Sequence, residues 1–278
     1  MTCYHPLNLP KGGQTDLRMD VACGQCYGCR LDRRRDWSVR LMHEAHGHES
    51  KCFLTLTYAD ENTPPGGTLV KKHFWDFIKR LRYWARPKKI RYFHCGEYGE
   101  TTSRPHYHAI IFGIDFADKL FYKNGSDGSP LYSSATLDGL WTHGFTTVGA
   151  VTKDSCGYVA GYILKKITGE AGQEHYGTRV PPYVSMSLRP GIGREFYDKY
   201  ADEIYAADFV VHGGGKFLPP KYYDRVHKQT SEEDLQATKF LRIKRSRSKK
   251  NRANNTPARL RTREEVKKAQ TQTLKRSL

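Results

Sequence analysis

Two histidines separated by a single residue, His106 and His108, are well suited to bind a metal ion. The apolar and β-branched residues 109–112 that follow them are typical of a β-strand. Because alternate side chains of a strand share a face, both imidazoles are predicted to point the same way, with Cα atoms roughly 6.5–7 Å apart. Two histidines alone also fit ordinary half-buried hydrogen bonding, so the interpretation depends on a third ligand.

Glu97 is the predicted third ligand, because the strand pattern of Ile90–Glu97 precedes the histidine strand by a short polar connection. Strands joined in this way are predicted to pair as an antiparallel hairpin, which places Glu97 beside His106. A carboxylate and two imidazoles form a three-ligand site that leaves positions for water or a phosphate oxygen. His94 and Glu100 are the alternative third ligands.

A helix over Ser155–Ile167 is predicted to carry reactive hydroxyl groups. At about 100° per residue, Tyr158, Tyr162, Lys165 and Lys166 fall in one sector and the aliphatic side chains in another. The helix can therefore bury its aliphatic side on a sheet and still present two tyrosines and two lysines together. The plainer interpretation is that the tyrosines only pack and the lysines face solvent.

A C-x2-C-x2-C cluster, formed by Cys23, Cys26 and Cys29, indicates a second metal site near the N-terminus. Short loops with glycine let such thiolates converge on a tetrahedral metal, and structural Zn2+ is the favoured ion. Cys3 is the predicted fourth ligand, with His5 as the alternative. Three free thiols or an iron–sulfur cluster are the other interpretations, although clustered free thiols are open to oxidation.

The composition favours a polyanionic partner. The 278 residues carry a net charge of +17 and include seven cysteines, an odd number that favours a metal site in a reducing compartment. Fourteen Lys and Arg residues against two Glu residues lie in 241–278, a tail that can contact phosphates without reading sequence. No apolar run of about eighteen residues and no signal-peptide pattern are present, so neither membrane spanning nor export is expected.

The patterns together predict an α+β fold. We expect a central antiparallel sheet of about five strands with packed helices, a zinc-knuckle-like N-terminal arm and a basic disordered tail, in which Arg259–Gln272 has a helical pattern. Lys51–Tyr58 is predicted to be a central strand because it is buried on both sides. The expected segments are a cysteine arm with a basic helix (1–47), a core (48–170), a helical or irregular extension of the same domain (171–238) and the basic tail (239–278).

Three stretches in this order resemble the HUH endonuclease superfamily, in particular the replication initiator proteins of gokushovirus-like Microviridae, small single-stranded DNA phages. They are Phe53–Tyr58, Arg104–His108 and Tyr158–Lys166. Order and spacing match over roughly residues 20–170, and the cysteine cluster followed by an arginine-rich helix also resembles that phage group. Gly161 departs from related two-tyrosine motifs, which often have a basic residue there, and leaves the positive charge to Lys165 and Lys166.

The resemblance implies a rolling-circle replication initiator that nicks and joins single-stranded DNA at the viral origin. Mg2+ or Mn2+ on Glu97, His106 and His108 is expected to polarise the scissile phosphate. Tyr158 and Tyr162 are expected to alternate as nucleophiles, each forming a 5′-phosphotyrosine and leaving a 3′-hydroxyl primer. Charge stabilisation is assigned to two lysines, Lys165 and Lys166.

The expected partners are single-stranded origin DNA and the host polymerase and helicase, in the cytoplasm of the bacterial host and without a membrane. The residues expected to contact DNA are Arg33, Arg34, Thr55, Thr57 and Arg104. One alternative is a non-enzymatic nucleic-acid-binding protein, in which histidines and tyrosines stack on bases. An HUH transposase or relaxase is another, and a zinc hydrolase leaves the tyrosine–lysine face unexplained.

Overall fold

The structure is a computed structural model that describes residues 3–11, 14–99, 102–125, 127–165 and 170–274. Within these ranges, side chains are not described for residues 11, 14–17, 163–165, 171 and 273–274. The chain packs as two units, one formed by Trp37–Lys199 and the other by Met1–Asp36 together with Tyr200–Leu278. The four segments expected from the sequence stay a prediction.

Strands and helices follow one another along the described chain. The strands are β1 (Leu7–Lys11), β2 (Gln14–Val21), β3 (Lys51–Tyr58), β4 (Arg91–Tyr98), β5 (Pro105–Phe112), β6 (Leu120–Asn124), β7 (Pro130–Ser133), β8 (Gly144–Gly149), β9 (Tyr183–Met186), β10 (Val210–His212) and β11 (Gly215–Phe217). The α-helices are α1 (Tyr27–His46), α2 (Lys71–Trp84), α3 (Ala135–Leu140), α4 (Lys153–Lys165), α5 (Glu170–Tyr176), α6 (Arg194–Ala207), α7 (Lys221–Thr230), α8 (Glu232–Ser246), α9 (Lys249–Ala253) and α10 (Pro257–Leu274).

The larger unit is built on an antiparallel sheet with the strand order β6-β7-β8-β3-β5-β4-β9. The α+β class with a central antiparallel sheet is confirmed, and the sheet has seven strands where about five were expected. The hairpin β6–β7 and the edge strand β9 are short, and β6 is exposed throughout, so they lack a clear apolar alternation. Strand β3 lies between β5 and β8, which confirms its predicted central place.

The two faces of this sheet are covered by different helices. One face packs on α2, and its buried side chains include Leu54, Leu56, Tyr107, Phe74, Phe77 and Leu81. The opposite face packs on α1 and α4, and its buried side chains include Phe93, Cys95, Ile110, Leu41, Val159 and Ala160. Helix α4 therefore buries its aliphatic side on the sheet, as its sequence pattern predicts.

The smaller unit contains the cysteine cluster, the hairpins β1–β2 and β10–β11, and helices α7 to α10. Arg242 on α8 forms ion pairs with Asp208 and with Asp224 on α7, both at 2.7 Å. Tyr205 stacks on the His227 ring, with centroids 3.6 Å apart. Packing and paired charges thus hold the helices of this unit together.

The basic C-terminal segment is helical up to residue 274, although its composition predicts a disordered tail. The helix expected at Arg259–Gln272 is confirmed within α10. The segment is ordered because Leu260 is buried on α10 and because Glu264 pairs with His5 at 2.6 Å, contacts that local composition does not reveal. Among the described residues, no helix has the length and apolar character needed to cross a membrane.

Candidate active site

The β4–β5 hairpin places the predicted metal ligands side by side. Glu97 is the direct cross-strand partner of His106, and His108 lies two residues further along β5 on the same face. Glu97 and His108 are buried, and His106 is half-buried. One ligand atom from each of the three lies within 4.8 Å of the others. The structure thus brings the three residues together at one point of the sheet.

The hydrogen-bond partners of His106 define its protonation. Its Nδ1 lies 3.0 Å from the backbone oxygen of Arg104, which can only accept, so Nδ1 carries the proton and donates. In the neutral ring Nε2 is then an acceptor, yet it lies 2.9 Å from Oε1 of Glu97, which is also an acceptor. Two acceptors at this distance need a positive charge, either a second proton on the ring or a metal ion bound to both.

Glu97 is held in its charged form. Burial acts to raise the pKa of Glu97, but hydrogen bonds with His106 and His108 outweigh burial and leave that pKa below its usual value. Oε1 of Glu97 lies 2.9 Å from Nε2 of His106 and 3.1 Å from Nε2 of His108. Adjacent ligands of an octahedral ion with bonds of about 2.1 Å are ~3.0 Å apart. The residues present therefore fit one octahedral ion.

Two neighbours orient the histidine rings. Thr55 on β3 is the cross-strand partner of His108, and its hydroxyl oxygen lies 3.1 Å from Nδ1 of that ring. Arg104 accepts from His106 through its backbone and forms an ion pair with Asp60 through its guanidinium group. Both rings are therefore fixed through Nδ1, which directs Nε2 towards Glu97.

Helix α4 presents both tyrosines to the histidines. The hydroxyl oxygen of Tyr158 lies 3.3 Å from Nε2 of His108, and 44% of this tyrosine is exposed. Tyr162 is only 5% exposed, and its ring stacks on His108 with centroids 5.7 Å apart. Burial, followed by the neighbouring Tyr158 and Glu97, raises the pKa of Tyr162 and disfavours its phenolate. Tyr158 is therefore the accessible hydroxyl in this structure.

The predicted lysines cannot be placed beside these tyrosines. Lys165 is the last residue of α4, but its side chain lies outside the described residues. Lys166 lies outside them altogether. Their contribution to charge stabilisation stays a prediction.

Of the alternative third ligands, His94 points away from the site. It lies three residues before Glu97 on β4, so its side chain is on the opposite face of the sheet. Its ring stacks on Phe74 with centroids 3.4 Å apart, and burial lowers the pKa of His94 to about 3. Glu100 lies outside the described residues.

The four predicted cysteines meet in the smaller unit. The sulfur of Cys3 lies 3.6 Å from that of Cys23 and 3.8 Å from that of Cys26, and Cys29 completes a group within 4.8 Å. Four sulfurs placed ~2.3 Å from one tetrahedral ion are ~3.8 Å apart. The thiols thus fit a metal site with four cysteine ligands. His5, the alternative fourth ligand, binds Glu264 instead.

The environment of Cys26 favours its thiolate. Burial acts to raise the pKa of Cys26, but backbone N–H groups of Cys29 and Tyr4 donate to its sulfur and lower that pKa to about 6. The backbone nitrogen of Tyr4 lies 3.3 Å from the sulfur. Burial raises the pKa of Cys29. One sulfur of the group is therefore prepared to bind a cation, which is the form that metal binding needs.

The remaining residues expected to contact DNA are spread over both units. Arg33 and Arg34 lie on α1 in the smaller unit, and Arg33 donates to the backbone oxygen of Gly24 at 3.1 Å. Thr57 lies on β3 and is the cross-strand partner of His106. Contact of these residues with DNA stays a prediction.

Sequence reasoning missed the hydrogen bond from Thr55 to His108. The alternation of Phe53, Thr55 and Thr57 placed these residues on one face, but only the pairing of β3 with β5 shows that this is the face of the histidines. Nothing in the sequence signals Phe145, an exposed aromatic residue that pairs with Thr57 from β8.

Comparison with known proteins agrees with the fold and the arrangement of the site. A family model described as replication-associated protein ORF2 matches residues 51–167, which include β3, the histidine strand and α4. Replication-associated protein VP4 of Bdellovibrio phage phiMH2K is 34% identical over 219 residues, which are 76% of this chain and 68% of that protein. No solved structure matches the chain.

Two further relatives carry the same description. Replication-associated protein ORF2 of Spiroplasma virus 4 is 33% identical over 261 residues, which cover 81% of this chain and 80% of that protein. Replication-associated protein ORF4 of Chlamydia phage 1 is 29% identical over 241 residues, with 82% and 58% covered. The resemblance noted from the three motifs is thereby confirmed, and the chain belongs to the family of replication-associated proteins of Microviridae-like phages.

Proposed function

We propose that this replication-associated protein initiates rolling-circle replication by nicking and rejoining single-stranded DNA at the phage origin. The observation that carries the proposal is the 3.3 Å distance between the Tyr158 hydroxyl and Nε2 of His108, within the three-residue cluster that fits a metal ion. A hydroxyl nucleophile and metal ligands at one point are what phosphoryl transfer to a tyrosine needs. The names of the relatives support a role in replication.

Glu97, His106 and His108 are proposed to hold the catalytic ion. The octahedral spacing and the buried carboxylate support Mg2+ or Mn2+. When bound, such an ion polarises a phosphate oxygen and offsets the charge that develops at phosphorus. The hydrogen bonds from Nδ1 of each histidine keep Nε2 aimed at this point before DNA arrives.

Tyr158 is proposed to make the first attack, because it is exposed and Tyr162 is buried. Its oxygen forms a bond to phosphorus while the bond from phosphorus to the 3′ oxygen breaks. The tyrosine loses its proton, and the departing 3′ oxygen takes up one proton. The products are a 5′-phosphotyrosine and a free 3′-hydroxyl that primes a host polymerase. Because the phosphodiester energy stays in the tyrosine link, rejoining needs no nucleotide.

Tyr162 is proposed to act in the second transfer, after one copy of the origin has been regenerated. Its burial must be relieved first, since burial disfavours the phenolate. Lys165 and Lys166 are proposed to stabilise that charge. The proposed DNA contacts are Arg33, Arg34, Thr55, Thr57 and Arg104.

The cysteine group is proposed to hold a structural Zn2+. The sulfur separations of 3.6 and 3.8 Å support a tetrahedral ion, and four cysteines leave no open position for a substrate. The ion would fix the N-terminal arm to the start of α1. The proposed partners are origin DNA and the host polymerase and helicase, in the cytoplasm of the bacterial host.

The test is covalent attachment. The full chain is incubated with labelled single-stranded origin DNA, with and without Mn2+, and the products are separated in SDS. We expect an SDS-resistant protein–DNA adduct that requires the ion, and its loss in the Tyr158→Phe, Tyr162→Phe double variant. Metal-independent binding without an adduct would instead support a non-enzymatic nucleic-acid-binding protein.

A further inference from the structure

We propose that Phe145 on β8 is a stacking platform for a DNA base next to the scissile phosphate. The inference rests on the proposed nicking function and adds a residue that positions the substrate. It begins from the exposure of Phe145, which is 68% although the residue lies within a strand of the sheet. An aromatic ring on a strand normally gains stability from packing, so this exposed ring has no evident structural purpose.

The strand register places this ring in line with the candidate metal site. Glu97 pairs with His106, His106 with Thr57, and Thr57 with Phe145. Direct partners in an antiparallel sheet share a face, so these four side chains form one row on the α4 face. Phe145 is two strands from His106, or ~10 Å at 4.7–4.9 Å per strand.

Helix α4 directs the substrate towards this half of the face. The helix packs on β4, β5 and β9, so it covers the side of the site away from β3 and β8. On the uncovered side, Thr57 and Thr147 are half-buried and Phe145 is exposed. A strand of DNA whose phosphate lies at His106 therefore meets Thr57 and then the Phe145 ring.

Gly144 brings β8 close enough for this arrangement. It pairs with Tyr58 at the end of β3, and a Cβ atom at Gly144 would lie 2.1 Å from the backbone nitrogen of Ala59. Only glycine permits this close approach. The tight contact sets the position of Phe145 beside Thr57, and the ring is held by the strand instead of by neighbouring side chains.

The chemistry of the row matches a single-stranded nucleic acid. Every base offers a flat π-face, so an exposed aromatic ring binds bases without regard to sequence. The adjacent Thr57 offers a hydroxyl group for the backbone. Phe53, on the same face, is not available in this way, because it is half-buried, stacks on His108 and meets Tyr158 edge to face.

The test compares Phe145→Ala and Phe145→Trp with the wild type in nicking a single-stranded origin oligonucleotide at saturating Mn2+. Tyr83→Ala is the matched control, because Tyr83 is 72% exposed on α2, which packs on the other face. For Phe145→Ala we expect KM to rise roughly 5- to 140-fold with kcat near that of wild type, as for the loss of about 1–3 kcal/mol of stacking. Phe145→Trp and Tyr83→Ala are expected to keep the wild-type KM.

An abasic scan identifies the stacked base. Abasic sites are placed one at a time on either side of the cleaved bond, and KM is measured for wild type and Phe145→Ala. One position is expected to raise the KM of the wild type and to leave that of Phe145→Ala unchanged, because both changes remove the same contact. An unchanged KM for Phe145→Ala, or additive effects at every position, overturns the stacking role while nicking persists. Absence of nicking by the wild type contradicts the proposed function itself.

Discussion

The hydrogen bond between Thr55 and His108 provides a sharp test of the candidate metal site. Replacing Thr55 with valine keeps the branched shape of the side chain and removes only the hydroxyl group that lies 3.1 Å from Nδ1 of His108. Valine is also well suited to a β-strand, so the packing of β3 is preserved. The change therefore acts on the orientation and tautomer of one ring.

The expected magnitude follows from burial. His108 is 5% exposed, so water does not readily replace the lost partner, and an unsatisfied buried polar group costs about 1–3 kcal/mol. Removing the partner of a metal-binding imidazole typically weakens metal binding roughly 10- to 100-fold, which corresponds to ~1.4–2.7 kcal/mol. The two estimates agree. We expect Thr55→Val to bind Mn2+ about 10- to 100-fold more weakly than wild type.

Calorimetric titration of the metal-free protein with Mn2+ measures this directly. Thr55→Ser restores the hydroxyl group and is expected to bind close to the wild-type affinity. Thr147→Val is the matched control, because Thr147 is the cross-strand partner of Thr55 and is similarly half-buried. If Thr55→Val binds Mn2+ as tightly as wild type and unfolds at the same temperature, the orientation of His108 by Thr55 is refuted.

Further predictions concern the tyrosines, the cysteines and Glu97. Tyr158→Phe is expected to abolish the first covalent attachment to an origin oligonucleotide, whereas Tyr162→Phe keeps it and loses circle closure; the reverse result contradicts the order inferred from exposure. Cys26→Ser is expected to lose Zn2+ from the purified protein, measured by elemental analysis, and to lower its unfolding temperature; a zinc-free wild type sinks this expectation. Because the pKa of Glu97 is lowered by folding, its carboxylate stabilises the metal-free protein above pH ~4.3 and loses this effect as pH falls. Glu97→Gln should therefore weaken the dependence of the unfolding free energy on pH below that value, and an identical acid limb in both proteins argues against it.

The sequence reveals those parts of the fold that depend on local pattern. Strand β3 alternates fully between half-buried and buried residues, and α2 carries an apolar stripe, so both are recognised from periodicity. The hairpin β6–β7 is missed because all of β6 is exposed. The basic helices are missed because their order depends on distant ion pairs, such as those of Arg242 with Asp208 and Asp224.

The same distinction applies to the candidate site. Glu97 and His106 are found from the sequence because one short connection joins their strands. The parts played by Thr55 and Phe145 depend on β3 pairing with β5 and β8, strands that lie far apart in the chain. Neither residue type is unusual in a strand, so its identity alone carries no signal for function.

The apolar face of the sheet specifies the candidate functional face. Leu54 and Leu56 are fully buried on the side of α2, and Thr55 lies between them facing the histidines. A slip of β3 by one residue would turn both leucines to the open face and Thr55 into the core. Each leucine would lose about 1.5–3 kcal/mol of burial, a large part of the ~5–15 kcal/mol by which a domain is stable. Packing on α2 therefore sets the register that aligns Glu97, His106 and Phe145, and a substitution that loosens this packing is expected to affect metal binding and DNA stacking together.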